Sequence, residues 1–156
     1  MAKKRLTPQD RLALEGWNEL VASIRESSDI NPADSTAEIE TRKKRLETDD
    51  EAWFRYYFAQ YYTCEPAIFH KRATKRFMSH DRWYEVRAWS RELAKSARAM
   101  MEIIKLALTR RVRNVLLISN SGDNAQRLLL PFMANMEENQ RIIQDSVSYT
   151  HLTLPT

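Results

Sequence analysis

The sequence predicts an α/β fold: a helical N-terminal region followed by the start of an incomplete parallel sheet with a βαβ unit. Three observations predict it. Helical periodicity fills the first half of the chain. Two short stretches rich in aromatic and β-branched residues, 83–89 and 115–118, flank one long amphipathic stretch. Only two glycines, Gly16 and Gly122, occur in 156 residues, so a helix-rich chain with few tight turns is expected.

Each element follows from local chemistry. Thr7-Pro8 reads as an N-cap with proline in the first turn, and Leu12, Trp17, Leu20, Val21 and Ile24 extend a helix to about Arg25. Asn31-Pro32 breaks the chain, and a charged helix is expected from about Pro32 to Leu46. Its Arg42-Lys43-Lys44-Arg45 run suits a solvated face better than a nucleic-acid contact. Asp49-Asp50-Glu51 places acid at the positive end of the next helix. That helix carries Trp53, Phe54, Tyr56, Tyr57, Phe58, Tyr61 and Tyr62, a stripe that suits core packing better than base stacking. After Glu65-Pro66, Phe69, Ala73 and Phe77 mark one face of a helix from Ala67 to about Met78.

Residues 83–89 then predict a strand, and Ala97, Met100, Met101, Ile104, Ala107 and Leu108 predict a helix from about Lys95 to Thr109. The continuous apolar run Val115-Leu116-Leu117-Ile118 suits a parallel strand covered on both faces. Ser119 to Asp123 turns the chain, and a helix kinked at Pro131 is expected from Asn124 to about Asn135.

Charge is unevenly placed. The chain carries +4 overall, but residues 65–113 hold 13 Lys+Arg against 5 Asp+Glu. That excess marks the middle third as the place for a polyanion, either nucleotide phosphates or a nucleic-acid backbone. No apolar run approaches membrane-spanning length, and the basic start lacks the apolar stretch of a signal peptide, so a cytoplasmic protein is expected. One cysteine, Cys64, excludes an internal disulfide framework and reads as a buried thiol. His70, His80 and His151 lack metal-ligand spacing. Ser119 and Ser121 lack the frame of a hydrolase nucleophile.

The chemistry concentrates in Trp89-Ser90-Arg91-Glu92-Leu93-Ala94-Lys95-Ser96. A phosphate-binding loop needs inward backbone N–H groups, a helix N-terminus facing the phosphates, a lysine, and a hydroxyl for Mg²⁺. Lys95 and Ser96 supply the last two, while Trp89 and Ala94 stand where G-x-x-x-x-G-K-[ST] has glycine. Alanine in a left-handed conformation costs about 1–2 kcal/mol. The predicted strand before, apolar helix at the lysine and apolar strand after give the near-match its context.

These residues, with Phe69-His70 before them and Asn114 to Ser121, Asn124-Ala125, Leu128-Leu129, Glu138-Asn139 and Ile142 after, resemble the start of the ATPase domain in tailed-phage terminase large subunits. That family often carries a deviant loop R-x-x-[GA]-K-[ST], which Arg91, Ala94, Lys95 and Ser96 fit. The resemblance implies the parallel sheet of a RecA-like P-loop NTPase. It implies ATP and Mg²⁺ as cofactors: Lys95 on the β/γ-phosphates, Ser96 on Mg²⁺, Arg91 as a second cation, and the backbone of Glu92, Leu93, Ala94, Lys95 and Ser96 as the cradle. It also implies double-stranded DNA, a portal and a small terminase subunit as partners, no membrane, a homo-oligomeric full-length motor, and action at the procapsid in the host cytoplasm.

Residues 1–50 then form a variable helical segment and 51–145 the start of the ATPase domain. Residues 146–156 resemble translated adapter sequence and are expected to be non-native or disordered. The family's Asp-Glu strand and nuclease cluster are not in the sequence, so the chain is expected to be a catalytically incomplete N-terminal fragment of an ATPase. Two alternatives stand beside it: another P-loop motor such as a helicase, and a basic helical nucleic-acid-binding module without a nucleotide site.

Overall fold

The computed structural model describes residues 7–146, and every regular element among them is helical. The order is α1 (Pro8–Ser27), α2 (Thr36–Glu47), α3 (Asp50–Tyr57), a 3-10 turn (Ala59–Tyr61), α4 (Ile68–Ser79), α5 (Lys95–Leu108), α6 (Gly122–Glu138) and α7 (Gln140–Ser146).

Capping sets several of the starts. Ser35 caps α2 in a box with Glu38, so this helix begins four residues after the proline that the sequence suggests as its start. Asp49 accepts from the backbone N–H of Glu51 and Ala52 at the head of α3. Ser121 accepts from Asn124 N–H, and α6 then runs on through Pro131 to Glu138.

The core is the aromatic stripe. Trp53, Phe54, Tyr57 and Phe58 are buried with Leu46, Met100, Met101, Ile104 and Ile142. Stacking on a base is therefore closed to these rings. Gln60 is likewise engaged inside, accepting from Ser27 and donating to Asn135. Helix α7, which periodicity did not reveal, closes this core: Ile142 is buried, and Asp145 accepts from the Tyr57 hydroxyl at 2.6 Å and pairs with Arg42 at 3.0 Å. The basic run on α2 is accordingly only part solvated. Arg42 is half-buried between Asp34 and Asp145, and Lys43 is buried.

The predicted parallel sheet is not formed. Residues 82–89 and 114–119 carry no strand assignment, and no sheet occurs among the described residues. Their side chains still alternate: Glu85, Arg87 and Trp89 turn inward while Tyr84, Val86 and Ala88 are exposed. Local preference sets that alternation, but a strand exists only through bonds to a neighbour. Leu116 is 82% and Ile118 79% exposed, so the run is not covered on both faces as its composition suggests. The chain as described is thus an all-helical body with two unpaired non-helical segments flanking α5, not an α/β fold. Cys64, expected to be buried, is exposed. No helix of the described residues is long and apolar enough to cross a membrane. The tail from residue 147 lies outside the described residues.

Candidate nucleotide-binding loop

Helix α5 begins at Lys95, where the phosphate-loop reading puts it. Its N-cap is Ala94 at φ 50°, ψ 25°, in the left-handed region, and Ala94 offers no side-chain cap. The first N–H groups of the helix therefore lack the hydroxyl or carboxylate acceptor that Ser35, Asp49 and Ser121 provide elsewhere. Glu92, two residues earlier, is also left-handed at φ 67°. Two of the three left-handed non-glycine residues among those described thus fall within this one loop. Such conformations cost energy and persist where surrounding structure holds them, often at binding sites.

The lysine folds back over the loop. Lys95 Nζ donates to the Trp89 carbonyl at 3.5 Å, across the loop. Trp89, at the position where the phosphate-loop pattern has its first glycine, turns its ring onto α4, edge-on to Phe69 at 5.1 Å and to His70 at 5.0 Å. Its carbonyl is left to accept from Lys95. Arg91 and Ser96 are exposed, Arg91 in the turn and Ser96 in the first turn of α5. Lys95 and Ser96 also line an open, mainly apolar cavity of about 380 Å³ with Ile103, Leu117, Arg127 and Phe132. Cavities of this size hold small ligands.

A buried ionic network braces both flanks of the loop. Arg87, two residues before Trp89, pairs with Glu102 at 2.8 Å and Glu85 at 2.7 Å. Arg98, three residues after Lys95, donates to Thr74 Oγ1 at 2.7 Å and pairs with Glu51, and Thr74 donates in turn to Glu102. Burial pushes the Glu102 carboxyl above its ordinary value, against the pull of Thr74 and Arg87. Burial also acts to raise Glu51, but hydrogen bonds from Arg98 and Tyr62 outweigh it and leave this carboxyl lowered.

His70, which the sequence offers only as part of the terminase-like stretch, meets this loop in the structure. It bonds the loop from α4, 23 residues away in sequence, and no spacing rule announces it. No group of three or more His, Cys, Asp or Glu residues among those described could hold a metal ion.

Relief of the strain is measurable. Ala94→Gly is expected to stabilise the protein by about 0.5–1 kcal/mol, since glycine removes most of the left-handed cost but adds unfolded-state entropy. Urea denaturation checks it.

Comparison with known proteins returns no matching family model, no matching curated protein and no matching solved structure.

Proposed function

We propose that this chain binds ATP with Mg²⁺ through the loop from Trp89 to Ser96, as the nucleotide-gripping part of a DNA-packaging motor of the tailed-phage terminase type. The observation that supports the reading most is the fold-back of Lys95 Nζ onto the Trp89 carbonyl, over a loop that turns left-handed at Glu92 and Ala94. On this reading the first N–H groups of α5, the positive end of its dipole and the lysine serve one anion. A triphosphate is the ligand that uses all three. Ser96 Oγ then meets the Mg²⁺ that the phosphates carry, and Arg91 adds a second cation at the rim. The motor assignment, with double-stranded DNA, a portal and a small subunit as partners, draws on the terminase-like residues around the loop.

A second reading keeps the protein a nucleic-acid-binding module. Lys71, Arg72, Lys75 and Arg76 are all exposed on α4, and this face favours it.

Titration calorimetry of the protein with ATP, with and without Mg²⁺, tests the first reading. Mg²⁺-dependent binding is the expected result, with ADP bound and adenosine not. Absence of any Mg²⁺-dependent nucleotide binding, beside salt-sensitive DNA affinity, gives the second reading the field.

A further inference from the structure

His70 sits on the first turn of α4 with its imidazole committed at both nitrogens. Nδ1 lies 3.1 Å from the Ala67 N–H, and Nε2 lies 3.0 Å from the Leu93 carbonyl. An amide N–H can only donate, and a carbonyl can only accept. Nδ1 must therefore be bare and Nε2 must carry the proton, which fixes a single neutral tautomer. The ring is held in this setting by Phe69 at 4.1 Å and by Trp89 edge-on at 5.0 Å.

The bond to Leu93 falls at a decisive place. Leu93 lies between the two left-handed residues, Glu92 and Ala94, and directly before the helix start. Its carbonyl belongs to the peptide that joins it to Ala94. Turning that peptide would relax Ala94 and aim its N–H elsewhere. A hydrogen bond to the carbonyl from a fixed ring opposes the turn. Among the described residues, the Ala94 conformation has no help from its own side chain, which caps nothing. The ring of Trp89 against the same imidazole ties the other end of the loop to α4 as well.

We infer that His70 is a positioning residue for the phosphate loop: through Nε2–H it holds the Leu93–Ala94 peptide in the orientation that binds nucleotide phosphates. This rests on the ATP-binding reading above. His70 touches no phosphate itself and works through the backbone.

The test uses the whole chain and three variants, with Mg²⁺·ATP affinity and thermal stability measured together. His70→Ala removes both bonds and is expected to weaken ATP binding roughly tenfold, the scale of one or two lost hydrogen bonds. His70→Gln offers an amide N–H in place of Nε2–H and a carbonyl oxygen in place of Nδ1. It is expected to recover most of the affinity. His70→Phe keeps the ring packing and loses the donor, and is expected to bind ATP as weakly as His70→Ala while melting closer to wild type. That split separates positioning from structural support, because a packing role alone would restore binding in the Phe variant. Equal ATP affinity in wild type and all three variants overturns the inference and leaves the ATP reading standing. So does affinity that follows thermal stability across the set. Absence of ATP binding in the wild type overturns both. If His70→Ala fails to fold, the Gln and Phe pair still decides the matter.

Discussion

Lys95→Ala is expected to weaken Mg²⁺·ATP binding roughly 10- to 150-fold while leaving thermal stability unchanged. The magnitude follows from one charge-assisted hydrogen bond to phosphate, worth about 1.5–3 kcal/mol. The specificity follows from the surroundings. Lys95 is exposed, and its bond is to the Trp89 carbonyl at a long 3.5 Å, so little folding energy is tied to it. Calorimetric titration beside a melting curve checks both halves. Affinity unchanged by the substitution would remove the lysine from the site and the main support from the nucleotide reading. A loss that appears equally for DNA would point to a general electrostatic role instead.

Glu102→Ala is expected to cost about 3–5 kcal/mol of folding stability. The Glu102 side chain is 1% exposed and receives Thr74 and Arg87, with Arg98 Nε at 3.9 Å. Removing it leaves guanidinium groups buried without their shared counter-charge, and breaking such a pair is costly even where the intact pair is nearly neutral. Glu102→Gln keeps the volume and an acceptor oxygen, so its cost is expected to be roughly half. Burial already raises this carboxyl, so a neutral group fits the site better than an empty one. Denaturant titration of both variants measures the two costs. A loss below about 1 kcal/mol for the alanine variant would show that Glu51 and Glu85 alone satisfy Arg98 and Arg87.

The helices were legible because their signals are local. Apolar spacing on α5, acid at Asp49 to Glu51 and proline at Pro8 each act within a turn or two of where they stand. Lys95 as a helix start came from the same source. The sheet was misread because alternation such as that of residues 83–89 reports exposure preference, whereas ladder bonds depend on a partner that local sequence does not name. Helix α7 escaped because its seven residues give too little periodicity, and its worth lies in Asp145 meeting Tyr57 and Arg42 from far along the chain. The contact of His70 with Leu93 is hidden for the same reason of distance. The left-handed Ala94 was foreseeable as a cost from the missing glycine, and its partner in the loop, Glu92, was not.

The uncovered run at 115–118 has a colloidal consequence. An unpaired backbone carrying Leu116 and Ile118 in solvent is a template on which a second copy of the same run can pair. Arg110, Arg111 and Arg113 stand just before it, Arg111 paired with Asp81, and two copies approaching in parallel register bring these like charges together. Such flanking charges act as gatekeepers against self-association. Their reach is set by screening, about 10 Å at 0.1 M salt and about 3 Å at 1 M. Concentrated salt shortens that reach and so weakens the opposition between two approaching runs.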